Sequence, residues 1–146
     1  MIVRKTSVFP ASPEKIFQKL QKPETLRYNA WPYASFEPVE KAADTWTEGS
    51  TSSYRLRLFG LIPSGTHRIH IVRFDRTRIS SRERNEHVPV WNHDITLRPL
   101  GRDRTAYTDR VEIRAGRKTF FIWIWAGAFY AHRQRKWIRL LKKGDR

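Results

Sequence analysis

The sequence predicts an α+β fold in which a curved antiparallel sheet wraps around a long C-terminal helix. Three observations lead to this prediction. Thr119–Lys143 contains no proline, and its second half repeats apolar residues with a period near 3.6, which indicates one long helix. After Pro32 the apolar residues recur with period two, segment after segment, as consecutive strands do. Proline–glutamate pairs at residues 13 and 23 mark the starts of two short helices.

The chain opens with a predicted strand over Val3–Phe9. Ser12 then has the character of an N-cap, Pro13 suits the first helical position, and Glu14 lies in the first turn, where the helix dipole favours a negative charge. The second pair, Pro23 and Glu24, starts the second short helix in the same way. The two helices therefore follow directly on the first strand.

Six further strands are predicted from the alternation of apolar and polar residues. They are Ser35–Val39, Ser52–Phe59, Thr66–Asp75, Ile79–Glu86, Val90–Arg98 and Thr105–Arg114. Turn chemistry separates them at Asp44–Gly49, Gly60–Gly65 and Pro99–Asp103. The alternation fails near Val72, as at a β-bulge, and Ile79–Glu86 is so polar that we expect it toward one edge of the sheet.

The long helix has two different halves. One face of it collects the residues expected to point toward the sheet: Trp123, Ala126, Tyr130, Arg133, Gln134, Trp137, Leu140 and Leu141. The opposite face of the second half is basic, as expected for a side in water. The opposite face of the first half instead carries Phe121, Trp125 and Ala128, which are apolar where solvent is expected.

Composition limits the possible classes of protein. At 146 residues the chain is expected to form one domain, residues 1–146, large enough for a real core. Its 29 Lys and Arg against 14 Asp and Glu give a net charge of +15, which favours contact with polyanions. There is no cysteine for a disulfide or a thiolate metal site. No signal peptide is recognisable, and the apolar run 120–131 is too short to span a bilayer, so we expect a cytoplasmic protein.

Two passages carry a resemblance to a known superfamily. The opening Phe9-Pro10-Ala11-Ser12-Pro13-Glu14-Lys15-Ile16-Phe17 and the aromatic-rich late helix resemble the START-like superfamily, also called the Bet v 1-like or polyketide cyclase/dehydrase (SRPBCC) group. The resemblance covers nearly the whole chain. It implies a helix-grip fold and an internal cavity for a hydrophobic or amphipathic ligand, and it does not name the ligand.

The late hairpin holds the most informative pair of ionisable residues. His93 lies on an otherwise apolar strand face, and Asp109 lies on the facing strand, so the two are expected opposite or diagonal to each other. In an apolar concavity they could act as a general acid and base or orient a ligand's carbonyl or hydroxyl. They could equally be a buried pair with a purely structural role.

Arg133 and Gln134 form a second pair of candidates, because helical spacing turns both toward the sheet. An inward Arg can hold a ligand carboxylate or phosphate, or can pair with an internal acid such as Asp109. The ligand-binding residues predicted on these grounds are Tyr54, Trp91, His93, Tyr107, Asp109, Trp123, Tyr130, Arg133 and Trp137.

Sequence motifs for enzymes, metals and cofactors are absent. No HExxH, phosphate loop, nucleophile elbow or dinucleotide fingerprint occurs. His67 and His70 fall on opposite faces of one predicted strand, which argues against a metal site. We therefore expect no metal or cofactor, and we favour a binding protein over an enzyme.

The apolar residues Phe121, Trp125, Leu61 and Ile62 are expected near the cavity mouth. On a basic rim they suit docking on an anionic membrane, a homodimer contact through Phe121 and Trp125, or the lining of a ligand tunnel. A second basic surface is the exterior of the sheet, where outward arginines could contact RNA phosphates: Arg55, Arg57, Arg68, Arg110 and Arg114.

The sequence therefore favours a protein that binds a hydrophobic or amphipathic small molecule, such as a lipid, polyketide, quinone-like or aromatic compound, between sheet and helix. A basic module that contacts RNA or the ribosome is the main alternative. A cyclase or dehydratase that uses His93 with Asp109 is another.

Overall fold

A computed structural model of the protein describes residues 1–39 and 45–143. Strands and helices follow one another in the predicted order. They are β1 (Ile2–Phe9), α1 (Pro13–Leu20), α2 (Pro23–Ala30), β2 (Ala34–Pro38), β3 (Thr51–Leu58), β4 (Ile62–Phe74), β5 (Arg78–Arg84), β6 (Val90–Gly101), β7 (Arg104–Arg114) and α3 (Thr119–Lys143).

The strands form one antiparallel sheet in the order β1-β7-β6-β5-β4-β3-β2. β1 and β2 are the two edges, so α1 and α2 carry the chain from one edge to the other. The pairing register shifts at three bulges, between Arg55 and Arg57, between Ile71 and Arg73, and between Pro99 and Gly101. Bulges of this kind bend a sheet. α3 packs against β1, β7 and α2, which confirms the predicted helix-grip arrangement.

The helix starts lie at the predicted positions. Ser12 is the N-cap of α1, and its side-chain oxygen accepts a hydrogen bond from the Lys15 amide at 3.2 Å. Pro13 and Pro23 are the first residues of α1 and α2, where a missing N–H costs nothing. The bulge predicted near Val72 is also confirmed.

Two predicted boundaries differ from the structure. The loop between β3 and β4 is shorter than Gly60–Gly65, because a turn over 59–61 reverses the chain and β4 begins at Ile62. The hairpin loop is likewise shorter than Pro99–Asp103, since β6 continues to Gly101. Of the predicted turn Asp44–Gly49, Asp44 lies outside the described residues.

The prediction that Ile79–Glu86 lies toward an edge was wrong. β5, which covers most of that segment, pairs with β4 on one side and β6 on the other, in the middle of the sheet. Its polar residues Ser80, Ser81 and Glu83 are buried or nearly so, and they have hydrogen-bond partners inside the protein. Polarity in this strand marks an internal polar network rather than exposure to solvent.

The core lies between the sheet and α3. Around the second half of α3, Phe9, Ile16, Tyr107, Trp137 and Leu141 are buried together. Around its first half, Ala126, Phe129 and Tyr130 pack on another cluster, but here side chains do not fill all the space. Within the part of the chain that the structure describes, no helix combines the length and hydropathy that a membrane span requires.

Candidate functional site

A cavity of about 470 Å³ lies between the first half of α3 and strands β2 to β6. Its walls are largely aliphatic and aromatic. The sheet side contributes Phe36, Leu56, Leu58, Ile69 and Trp91, and α3 contributes Ile122, Trp125, Phe129 and Tyr130. Its volume falls within the range of about 300–1,000 Å³ usual for small-molecule sites.

The mouth of the cavity lies between two segments that are far apart in sequence. The start of β4 supplies Ile62 and Pro63, the short 3₁₀ turn Gly116–Lys118 supplies Lys118, and the first turn of α3 supplies Phe121. Ile62 is 55% exposed and Phe121 is 72% exposed. An entrance framed by exposed apolar side chains beside a lysine therefore leads into an apolar interior.

A row of hydrogen-bonded ionisable residues crosses the inner wall. His67 Nε2 lies 2.8 Å from Glu83 Oε1, His93 Nδ1 lies 3.7 Å from Glu83 Oε2, and His93 Nε2 lies 2.6 Å from Asp109 Oδ1. We call these four residues, His67, Glu83, His93 and Asp109, the polar row. His67 and Glu83 line the large cavity, whereas Asp109 is only 1% exposed and lies deepest.

Strand register builds the polar row. His67 shares a strand face with Ile69 and Ile71, and Glu83 shares one with Ile79 and Ser81, so both point toward the core. Ser81 pairs directly with His93, which places Glu83 diagonal to it. On the next pair Ile95 faces Asp109, so the predicted diagonal contact between His93 and Asp109 is present.

Neighbouring side chains fix the proton positions at the outer end of the row. Asn85 Oδ1 accepts hydrogen bonds from the amides of His87 and Val88, so its Nδ2 is the atom that faces His67 Nδ1, at 3.3 Å. Nδ1 of His67 is then an acceptor, and its Nε2 donates to Glu83.

Burial and hydrogen bonding act in opposite directions on Glu83 and His93. Desolvation raises the pKa of Glu83, but the hydrogen bond from His67 and the attraction of His93 outweigh it and hold the pKa below its usual range. Desolvation lowers the pKa of His93, but its contacts with Asp109 and Glu83 outweigh that and raise the pKa. The contacts in the row therefore favour the charged forms of both Glu83 and His93.

Asp109 has a second partner on α3. Gln134 Nε2 donates to Asp109 Oδ2 at 3.0 Å and to the Lys5 carbonyl at 2.9 Å, and Gln134 Oε1 accepts from Ser7 at 2.6 Å. These bonds join α3, β1 and β7 at one point. Both oxygens of Asp109 are thus occupied.

Arg133 is a buried cation of a different kind. It is 7% exposed, and among the described residues it forms no ion pair, so the predicted pairing with Asp109 is not observed. Its guanidinium lies 5.3 Å from the ring centre of Tyr130 and 5.6 Å from that of Phe129. Burial disfavours its charge, but the negative potential of Asp109 and other nearby groups raises its pKa, so it stays charged.

A second, smaller chamber of about 70 Å³ lies behind the large cavity, toward α2. Four residues line both spaces: Leu26, Ile69, Glu83 and Arg133. Other residues that line the small chamber include Asn29, Trp46, His93 and Trp137. Arg133 therefore stands between the two spaces.

The predicted ligand-binding residues divide by position. Trp91, Tyr130 and Arg133 line the large cavity, and His93, Arg133 and Trp137 line the small chamber. The remaining four, Tyr54, Tyr107, Asp109 and Trp123, line neither space. Tyr54 and Tyr107 pack in the core, and Trp123 donates from Nε1 to the Ile2 carbonyl at the edge of the sheet.

Sequence reasoning missed His67 and Glu83, the two ionisable residues of the row that face the large cavity. A signal for both was present, because His67 shares its strand parity with Ile69 and Ile71, and Glu83 shares its parity with Ile79, all of them buried. His67 was considered only as a metal ligand, and Glu83 lay in the segment expected near an edge. Among the described residues, no group of three or more His and acidic side chains has the arrangement of a metal site.

The helical pattern places Trp125 on the outer face of α3, where solvent is expected, but in the structure its side chain lines the cavity. Its ring stacks on Phe129 with centres 4.7 Å apart, and it lines the cavity half-buried. Of the two residues considered for a homodimer contact, only Phe121 is well exposed.

Comparisons with known proteins agree with this architecture. A family model described as Domain of unknown function (DUF8410) matches residues 7–141. No curated protein matches the sequence significantly.

Solved structures resemble the chain over nearly its whole length. A START superfamily protein from Mycobacterium smegmatis has a TM-score of 0.71 at 18% identity, with 97% of each chain covered. A crystal structure of a Chromobacterium violaceum protein gives 0.73 at 16% identity, with 96% of each covered. The Aha1 dimer from Colwellia psychrerythraea gives 0.68 at 14%, with 97% of this chain and 96% of that chain covered. At these identities the likeness establishes the START-like fold alone.

Proposed function

Because this chain belongs to the family described as Domain of unknown function (DUF8410) and has a START-like fold, we propose that it binds a hydrophobic or amphipathic small molecule between its sheet and α3. The observation that carries the proposal is the apolar cavity of about 470 Å³ with a polar inner wall. Apolar walls supply affinity through desolvation, and a few buried polar groups fix the orientation of a ligand.

A matched pair of substitutions on α3 tests this proposal. Ile122→Trp adds volume inside the cavity, whereas Ile124→Trp makes the same change at a residue that is 52% exposed and does not line it. Native mass spectrometry and solvent extraction would identify any small molecule that copurifies with the wild type. We expect the Ile122→Trp variant to lose it and the Ile124→Trp variant to keep it.

Equal retention by both variants would contradict binding in this cavity. If the wild type copurifies with no small molecule, a second measurement is needed, the binding of a fluorescent apolar probe to the protein. If Ile122→Trp did not weaken binding of the probe relative to Ile124→Trp, the cavity proposal would fail.

The mouth supports a finer proposal, that the protein exchanges its ligand at an anionic membrane surface. Phe121 and Ile62 project at the entrance, Leu61 beside them is 81% exposed, and Lys118 supplies positive charge. Exposed apolar side chains on a basic rim suit shallow insertion among anionic headgroups. We expect cosedimentation with vesicles containing phosphatidylserine, weakened by Phe121→Ser and unchanged by Ile124→Ser. No sedimentation at about 50 mM salt would contradict it.

The outer face of the sheet favours a second candidate function, contact with structured RNA. Arg4 pairs directly with Arg110, and Arg68 pairs directly with Arg84, and all four side chains are exposed. Like charges directly opposite on neighbouring strands destabilise a sheet, so this face is better suited to a polyanion than to stability. Arg55, Arg57 and Arg114 are also exposed.

Fluorescence anisotropy with a labelled RNA hairpin tests the second function. Binding should weaken steeply with salt, and a double variant Arg68→Ser/Arg84→Ser should lose more affinity than Arg135→Ser/Arg139→Ser on the exposed back of α3. Equal losses of RNA affinity in the two double variants would show only a general effect of net charge. The outer face of the sheet would then not be a specific RNA-binding surface.

A further inference from the structure

The small chamber behind the cavity collects buried N–H groups that have no partner. Asn29 Nδ2, Trp46 Nε1, Arg133 Nε and Trp137 Nε1 are all buried without a hydrogen bond to any described residue, and all four residues line this chamber. Asn29 Oδ1 is the one unpaired acceptor among them. A buried donor without a partner destabilises the folded protein, so four such donors around one small space require an explanation.

The charges around the chamber narrow the choice of partner. Both carboxylates of the polar row have donors: Glu83 accepts from His67 and Ser81, and Asp109 accepts from His93 and Gln134. His93 is paired with them. Arg133 is the buried charge in this group that lacks a counter-charge within ion-pair distance in the described chain. The unpaired groups at the chamber are mainly N–H donors, and one of them belongs to a cation, so an anionic acceptor is the partner that suits them best.

The large cavity and the small chamber are adjacent. Arg133, Glu83, Leu26 and Ile69 border the large cavity on one side and the chamber on the other. A chamber of about 70 Å³ has room for roughly two water-sized groups, given about 30 Å³ for each in the liquid. A carboxylate fits this space, whereas a phospholipid headgroup is too large for it.

We propose that the chamber binds the carboxylate of an amphipathic acid whose apolar body fills the large cavity. Arg133 supplies the charge, and the N–H groups of Asn29, Trp46 and Trp137 supply further donors. This inference rests on the proposed ligand-binding function and adds the chemical class of the head group. It also accounts for a buried charge at position 133, on the face of α3 that packs toward the sheet.

The test compares acids with neutral compounds of the same shape. Dodecanoate and 1-dodecanol form one pair of probes, and 2-naphthoate and 2-naphthol form the other, titrated by calorimetry at about 150 mM salt to screen the basic surface. We expect one acid to bind with one-to-one stoichiometry, about ten- to a hundredfold more tightly than its neutral partner, as hydrogen bonds to charged groups allow.

Arg133→Met is the central variant, because Met keeps much of the length and apolar volume of the side chain. The preference for the acid should vanish while the neutral compound still binds. Arg135→Met removes the same charge from the exposed side of α3 and should keep the preference. Replacing an unpaired buried charge by an apolar residue is not expected to unfold the protein, and circular dichroism and thermal melting would verify this.

Two different failures are distinguishable. If a neutral probe binds the wild type as tightly as its acid, or if Arg133→Met keeps the preference, the carboxylate inference is overturned while cavity binding stands. If neither pair of compounds binds, the carboxylate inference is overturned. If the fluorescent probe also fails to bind in the cavity, the proposed function falls with it. If Arg135→Met lost the preference for the acid as fully as Arg133→Met, the preference would come from surface charge, and the inference would also be overturned.

Discussion

At the level of single residues, His93 is placed so that both of its ring nitrogens face carboxylates. Nε2 contacts Asp109 and Nδ1 contacts Glu83, at 2.6 and 3.7 Å. The protonated ring satisfies both acids, whereas the neutral ring satisfies one. Charge on His93 and stability of the fold are therefore linked.

This linkage predicts a defined pH window for stability. The pKa of His93 is raised in the folded protein, so its stabilising contribution is complete below the unfolded value of about 6.5 and is lost as pH rises through the folded-state pKa. The pKa of Glu83 is lowered, so its contribution is present above about 4.3 and is lost as pH falls through the folded-state pKa. We expect the free energy of unfolding to be highest between about pH 5 and 6.5.

Urea unfolding of the wild type and of the His93→Gln variant from about pH 5 to 9 would measure this pH dependence of the free energy of unfolding. Removing His93 leaves two buried acids short of a counter-charge, so the variant should lose about 3–5 kcal/mol near pH 6 and show a flatter profile above it. His87→Gln, at an exposed position, is the control and should keep the wild-type slope. An unchanged slope in His93→Gln would contradict the assignment.

The same residues show how far sequence alone reaches at this scale. His93 and Asp109 were predicted because each is the single ionisable residue on an apolar strand face, and the register follows from a short hairpin. Glu83 was missed because it is one of several polar residues in its strand. Periodicity distinguishes inside from outside only when most residues on the inner face are apolar.

At the level of elements, the turn between β3 and β4 accepts few substitutions. Gly60 has φ +70°, and a Cβ there would lie 2.7 Å from the ring of Trp31. Phe59, just before it, also has a positive φ of 54°. The turn and Trp31 together hold the strand start that borders the cavity mouth.

We expect Gly60→Ala to destabilise the protein by about 1 kcal/mol or more, because both the backbone conformation and the Trp31 ring oppose a side chain. Gly127→Ala is the matched control. Gly127 lies inside α3 with open space where a Cβ would be, so the change should stabilise by about 0.5–1 kcal/mol. Thermal or urea unfolding of both variants measures the difference. A neutral Gly60→Ala would show that the turn and Trp31 adjust freely.

Element boundaries were predictable where the chain carries explicit signals. Ser12 with Pro13 fixed the start of α1, and the unbroken stretch before Lys143 fixed α3. Strand positions within the sheet were less predictable. β5 was expected near an edge, since a polar strand in the middle requires internal partners, here Asp94, His67 and His93, which come from other strands.

At the level of the whole molecule, the charge of +15 opposes compaction. The directly opposed pairs Arg4–Arg110 and Arg68–Arg84 concentrate this repulsion on one face of the sheet. We therefore expect the melting temperature to rise between about 20 and 300 mM salt as the repulsion is screened.

Arg68→Thr should raise stability at low salt by about 0.2–1 kcal/mol, the usual range for a cross-strand pair, with a smaller gain at high salt. Arg135→Thr, on the exposed side of α3, removes the same charge without relieving a cross-strand pair and should change stability less. Differential scanning calorimetry at both salt concentrations would compare them. If Arg68→Thr were destabilising at low salt, the packing of the arginine side chain would outweigh its repulsion with Arg84.

The sheet order has a consequence for how the protein forms. β1 holds residues 2–9, yet its only strand partner in the described chain is β7, residues 104–114, and α3 packs across both. These contacts join the two ends of the described chain, and contacts of large sequence separation slow folding. During synthesis β1 must wait, unpaired, until about a hundred later residues have emerged. The cavity, which α3 closes, therefore becomes able to hold a ligand only after α3 has been synthesised and has packed on the sheet.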